Sequence, residues 1–290
     1  MSHSKLFSKI IVPINASSLE VQKYSAMMAK KFNSKITVIH ITSTGIDEIA
    51  EKEKIGKETL DRIRSYLNQK YEKMLEKTVN QFKRQGIKVS SHLVEHIDPA
   101  EHIMETTREE NADLILMGHR EEKEGGSYIL GSTTKKVYRH STRSVLIVKN
   151  FRKPKKILVG FDSSEEAKKA LKYAEKIATK FDSQIKILHV TPRPQLSKQE
   201  LKKGDILQEF KKLGNEIINK AKVTYNPDRV EKEVKIGKPA DVILEIADQE
   251  NFDLITVGSR GLTTVKKYLM GSVSEKISEY AKIPVLVAKL

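Results

Sequence analysis

The sequence has no cysteine. Disulfides, thiolate nucleophiles and cysteine-ligated zinc are therefore excluded. It also lacks any run of about 18 apolar residues, the length a spanning helix needs, so no membrane partner is expected. The opening residues, MSHSKLFSKIIVPIN, hold only a short apolar stretch, broken by Pro13 and Asn15. No secretory signal is expected from them, and the expected location is cytoplasmic. Aromatic residues make up only 6%, and there is no arginine-rich block. A single-strand nucleic-acid binder sets aromatic stacking platforms among its basic residues. The formal net charge of +15 is accordingly read as solvation of helical faces such as KKALKYAEKIATK, with some pull on anionic ligands. Nucleic acid is not the expected partner.

What is present is enough to build packed cores. The 290 residues are 38% hydrophobic and 31% charged, which favours one or two folded domains over a disordered chain. The chain also repeats itself. Lys9–Ser17 (KIIVPINAS) matches Lys156–Ser164 (KILVGFDSS), and Asn111–Arg120 (NADLILMGHR) matches Asn251–Arg260 (NFDLITVGSR). Gly131-Ser132 recurs as Gly271-Ser272, and Val145-Leu146 as Val285-Leu286. Copies of this size are tandem domains, not short solenoid repeats. The expected domains are 1–150 and 151–290, joined by a short basic link at Asn150–Pro154. So short a link suggests that the copies pair within the chain.

Each copy alternates short apolar runs with helical patterns. In the first, strands are expected at 10–14, 36–41, 89–94, 114–117 and 145–148. Helices are expected at 19–32, across one long charged region 46–85, from Pro99 and after Gly131. The second copy repeats this with strands at 157–161, 185–190, 230–236, 254–257 and 285–288. Continuous apolar strands alternating with helices imply an α/β fold, two doubly wound domains, each with a mainly parallel five-stranded sheet. Ligands in such sheets bind beyond the carboxyl ends of the strands, where strand order reverses.

One stretch stands at such an end. After the strand at 254–257 come Gly258-Ser-Arg-Gly261, nine intervening residues, then Gly271-Ser272-Val273-Ser274-Glu275. Glycines let a backbone approach a bulky anion, and a helix start offers free N–H groups and a positive dipole end. Ser272 with Glu275 has the form of a capping box. Asp162, after the first strand of the second copy, either accepts from ribose hydroxyls or an adenine amine or caps the following helix. Local sequence leaves both open.

A five-stranded α/β unit with an aspartate after strand one and Gly-x2-Gly-x9-Gly-Ser after strand four resembles the universal stress protein family, in its tandem form. The resemblance covers nearly the whole chain. It implies a site for ATP, with Mg²⁺ accompanying the nucleotide, in the second copy. Asp162 would hold the nucleoside and Val190 would lie against the base. Gly258 and Gly261 would admit the sugar and α-phosphate. Gly271, Ser272, Val273 and Ser274 would meet the terminal phosphates, with Arg260 in reach of them. The implied role is a nucleotide-dependent sensor or switch in the stress response. The alternative is an interaction or dimerisation module that binds no nucleotide, and a homodimer is compatible with either.

The first copy departs from the pattern. Asn15 replaces the aspartate, Glu121 stands where the second glycine belongs, and 121–126 reads EEKEGG. Carboxylates repel a triphosphate, so weak or absent binding is expected there. No Walker A ending, nucleophile elbow or general base is recognisable, so no catalytic residue is assigned and any ATPase activity would be slow. His92, His96 and His102 suggest a metal, but with no fixed carboxylate partner evident they read as a solvated strand edge. His40 and His189 recur after strand two and read as structural.

Overall fold

The computed structural model describes residues 6–15, 19–42, 45–121, 128–192, 204–261 and 270–290. The first copy gives β1 (Lys9–Pro13), α1 (Leu19–Phe32), β2 (Lys35–Thr42), α2 (Gly45–Lys52), α3 (Lys57–Arg84), β3 (Val89–Glu95), α4 (Pro99–Glu109) and β4 (Leu114–Met117). It continues with the two-residue strands β5 (Arg120–Glu121) and β6 (Tyr128–Ile129), then α5 (Ser132–His140) and β7 (Ser144–Ile147). The second copy gives β8 (Lys156–Gly160), α6 (Glu165–Phe181), β9 (Gln184–Pro192), α7 (Gly204–Asn219), β10 (Val230–Gly237), α8 (Pro239–Gln249), β11 (Leu254–Gly258), α9 (Ser272–Tyr280) and β12 (Val285–Ala288). The chain is α/β, with mostly parallel strands flanked by helices, as the alternating pattern implies. The charged region 46–85 differs from expectation, since it forms two helices. Gly56 holds an extended backbone (φ −63°, ψ 146°) as the N-cap of α3, which separates α3 from α2.

The chain forms two compact units, one of Met1–Gly118 with Gly131–Val137, the other of His119–Leu130 with Tyr138–Leu290. In the first, β3, β2, β1 and β4 lie side by side in that order, all parallel. In the second the parallel order is β10, β9, β8, β11, β12. There β7 adds to β12 in antiparallel register, with Leu146 opposite Leu286. The central strands are apolar on both faces, and β4, β7 and β12 are buried along their whole length. Such strands need cover on both sides. Helix α6 supplies part of it, burying Ala167, Ala170, Leu171, Ala174, Ile177, Ala178 and Phe181 at helical spacing. Helices α8 and α9 contribute Ile243, Ile246, Ala247 and Ile277 to a core with Leu158, Leu188, Ile255, Val285 and Val287.

In each unit the chain runs outward from its first strand and then returns to the other side of it. The reversal falls between β1 and β4 in the first unit, and between β8 and β11 in the second. The connections diverge there and leave a crevice at the carboxyl ends.

One lysine follows the last strand of each copy, Lys149 after β7 and Lys289 after β12. They are 1% and 8% exposed. Lys149 Nζ donates to the Glu279 carbonyl at 3.5 Å, and Lys289 Nζ to the Arg139 carbonyl at 3.0 Å. Each thus meets the last turn of a helix, where unpaired carbonyls favour a cation. Burial, and secondarily the charge of Arg260, lowers the Lys289 ammonium to about 8. A lysine near 10.4 when unfolded then binds more protons in the unfolded chain between about pH 8 and 10.4. Its contribution to stability therefore rises with pH through that window. Denaturant unfolding of the wild type and Lys289→Met at pH 7.5 and 10 should show the wild type gaining about 2 kcal/mol relative to the variant.

Candidate functional site

The crevice of the second unit is built from the ends of β8 and β11 and the starts of α6 and α9. Asp162 lies two residues beyond β8. Its Oδ1 accepts from the Ser164 N–H at 3.0 Å and the Ser164 hydroxyl at 2.6 Å. Ser164, not Asp162, caps α6, its Oγ accepting from Ala167 N–H at 3.2 Å. Ser163 between them takes φ +68°. The other oxygen, Oδ2, faces the glycine loop, since a Cβ on Gly261 would sit 2.7 Å from it. The cap role considered for Asp162 thus falls to Ser164, while one Asp162 oxygen shapes the turn and the other meets the loop.

Gly258 closes β11 for a packing reason. A Cβ there would lie 2.8 Å from Glu166 Cβ and 2.9 Å from Ala167 N, within the first turn of α6. Beyond it, Ser259 ties three segments together. Its N–H donates to the Ala288 carbonyl at 2.9 Å, and its carbonyl accepts from Gly271 N–H at 2.8 Å and from Ser274 Oγ at 3.0 Å. The two ends of the glycine stretch, 259–261 and 270–274, are thereby held side by side. The residues between, 262–269, lie outside the described residues.

Helix α9 starts one residue earlier than the capping-box pattern suggests. Gly271 is the N-cap, with no side-chain cap hydrogen bond, and Ser272 is already the first helical residue. Ser274 turns inward, 3% exposed, its hydroxyl engaged with Ser259 and Gly271. Ser272 is exposed and Val273 packs on the core. What this helix end presents outward is backbone N–H groups, which have no intrahelical acceptor at a helix start. Val190 is 6% exposed and belongs to the core with Ala240 and Ile243.

Arg260 carries a finding that local sequence hides. Its Nη2 lies 2.5 Å from Oε1 of Glu166, a carboxylate whose side chain is 9% exposed. The loop arginine is thus held against α6, and Glu166 joins the site unforeseen. Across |i−j| of almost a hundred residues, nothing in either local pattern announces such a pair. His189 also gains a position: its Nδ1 lies 2.8 Å from the Phe161 carbonyl. This fixes the residue that precedes Asp162. His40 makes the same contact with Ile14 O in the first copy. Burial, partly offset by that contact, holds its imidazole below the ordinary range.

The first copy keeps the frame with different fittings. Thr134 Oγ1 donates to the Gly118 carbonyl at 2.9 Å, much as Ser274 does to Ser259. The stretch after Gly118 instead enters the ladder of β5 with β6, pairing Arg120 with Ile129 and Glu121 with Tyr128. Residues 122–127, including Gly125 and Gly126, lie outside the described residues. Of the three histidines considered for a metal, His92 stands apart, its Nε2 3.4 Å from Glu110 Oε1. His96 and His102 come together, ring centroids 5.3 Å apart, and Glu105 joins them. Among the described residues no helix is long and apolar enough to cross a membrane.

The family model described as "Universal stress protein family" matches the chain twice, over residues 6–149 and 153–289. Universal stress protein YxiE of Bacillus subtilis is 33% identical over 145 residues, covering 46% of this chain and 98% of that protein. Universal stress protein MJ0577 of Methanocaldococcus jannaschii is 32% identical over 160 residues, covering 47% and 94%. A solved universal stress protein from Archaeoglobus fulgidus superposes with a TM-score of 0.69 at 24% identity, covering 98% of both chains, a likeness of fold.

The glycine geometry separates two substitutions that look alike on paper. Gly258→Ala should cost about 1–3 kcal/mol, because the added Cβ meets backbone. Gly271→Ala, at φ −71° with its nearest neighbour 3.5 Å away, should leave stability unchanged or raise it by up to about 1 kcal/mol. Urea unfolding curves of the two variants provide the comparison.

Proposed function

The chain belongs to the universal stress protein family, and we propose that it binds ATP, with Mg²⁺, in the crevice of its second copy. One observation carries this reading. The Asp162 carboxylate, the backbone of Gly261 and the N-terminus of α9 converge on the strand-order reversal between β8 and β11. In this reading Asp162 Oδ2 accepts from ribose hydroxyls or the adenine amine, and Gly261 leaves room for the sugar and α-phosphate. The N–H groups of Ser272, Val273 and Ser274 face the terminal phosphates with the helix dipole behind them. Mg²⁺ would offset the charge of the phosphates beside Asp162 and Glu166. Arg260 would serve either by staying on Glu166, closing the loop, or by exchanging that partner for a phosphate.

The role that follows is binding rather than turnover. Occupancy of the crevice would act as the signal, with hydrolysis slow at most. For the first copy the second reading, an interaction module without nucleotide, is favoured by a specific observation. Asn15 replaces the aspartate, and the loop after Gly118 is drawn into the β5–β6 ladder.

Titration calorimetry of the intact protein with Mg²⁺-ATP should give one nucleotide per chain. Asp162→Ala should weaken binding by about 10- to 100-fold, the range for a lost hydrogen bond to a charged group. Gly271→Val should abolish it while Gly271→Ala retains the fold. Absence of heat with both ATP and ADP would sink the reading.

A further inference from the structure

We propose that His96, His102 and Glu105 form a binding site for one divalent transition-metal ion of the zinc class, in the first copy. One ligand-capable atom from each, an imidazole nitrogen or a carboxylate oxygen, lies within 4.8 Å of the others. The fold assembles them by a short return of the chain. Asp98 caps α4, its Oδ1 accepting from Ala100 N–H at 3.1 Å and Glu101 N–H at 3.3 Å, and Pro99 begins the helix. That turn lays His96, just after β3, over the first turn of α4. His102 and Glu105, three residues apart, share one face of the helix.

Zinc bonds of about 2.0–2.2 Å at tetrahedral angles need ligand atoms closer together than 4.8 Å, a gap that small side-chain rotations close. The outer contacts decide which ring nitrogens are left to bind. His96 Nδ1 accepts from the Asp98 N–H at 3.0 Å and also lies 3.0 Å from the Asp98 carbonyl, and His102 Nε2 lies 3.4 Å from Thr106 Oγ1. His96 Nε2 and His102 Nδ1 are the remaining nitrogens, and ligation at Nε2 would move the His96 ring proton to Nδ1, against the Asp98 carbonyl. Lys136 is engaged elsewhere, paired with the Asp98 carboxylate.

The second copy supplies an internal control. At the repeat spacing, His96, His102 and Glu105 correspond to Ile236, Val242 and Glu245. The same strand, turn and Pro-initiated helix form there, so the fold does not need the histidines. The two copies differ at both positions, an apolar pair in one and an imidazole pair in the other, each beside a carboxylate. Two nitrogens and one oxygen select Zn²⁺, Co²⁺, Ni²⁺ or Cu²⁺ over Mg²⁺ and Ca²⁺. Three protein ligands leave a position for water or an incoming anion. The site is independent of the nucleotide crevice in the second copy and gives the first copy an input of its own.

The test is Co²⁺ titration of the untagged full-length protein, followed by visible absorption and competition with Zn²⁺. The expected result is one Co²⁺ per chain with the d–d bands of a low-symmetry site, displaced by Zn²⁺ and untouched by excess Mg²⁺. The double variant His96→Ile/His102→Val, which installs the residues of the second copy, should weaken binding beyond the roughly 10- to 100-fold that loss of an outer partner costs. Its circular dichroism should match the wild type. Glu105→Gln gives a second reading, with intact imidazoles and weakened affinity. No Co²⁺ uptake at micromolar protein would overturn the proposal, as would uptake that neither variant alters.

Discussion

The first turn of α6 rests directly on the end of β11, and the second site depends on that contact. It is possible only because residue 258 has no side chain: a Cβ would fall among the backbone atoms of Glu166 and Ala167. With the helix this close, Ser164 caps it beside the loop, Glu166 reaches Arg260, and Asp162 comes up against Gly261. Ser259 then binds the strand end to β12 and to the start of α9. Moving α6 outward would separate these groups together. At this position the glycine makes room for a helix.

The architecture was legible because it follows from short-range chemistry. Apolar runs such as Leu254 to Val257 and Val285 to Val287 announce buried parallel strands, and Pro99 and Pro239 mark helix starts at the repeat spacing. Where the reading slipped, the deciding interaction was either a single backbone choice or a distant partner. The long charged region breaks at Gly56, a residue that helical periodicity passes over. The capping box read at Ser272 does not form: Gly271 is the N-cap, and it is Ser274 whose hydroxyl turns to Ser259. Glu166 looks like an ordinary surface residue until tertiary structure pairs it with Arg260. Glu105 lies across a turn from His96, and sequence spacing did not bring it forward as the missing carboxylate. The metal reading was accordingly set aside for want of a carboxylate that the turn at Asp98 supplies.

The two copies show how one frame is fitted differently. The histidine within strand two contacts the carbonyl just beyond strand one in both, and a hydroxyl from the helix after Gly-Ser returns to the end of strand four in both. These are supports of the frame. The variable parts sit at the carboxyl ends: aspartate against asparagine, a glycine loop against a β5–β6 ladder, and an apolar pair against two imidazoles. Divergence there costs little stability, since such residues lie beyond the ladders of the central strands.

The pairing of β7 with β12 has a consequence for the edges of the sheet. Leu146 faces Leu286, and these occupy equivalent places in the repeat. The register is therefore close to a local two-fold, of the kind by which a strand meets an identical strand. Strand β12 is four buried residues, all apolar, and β7 takes up its outer row of N–H and C=O groups. A fragment beginning after residue 150 would bare that row as a flat, sticky template. Its natural substitute for β7 is another β12, so the fragment would self-associate edge to edge. Duplication within one chain keeps the partner strand permanently at hand.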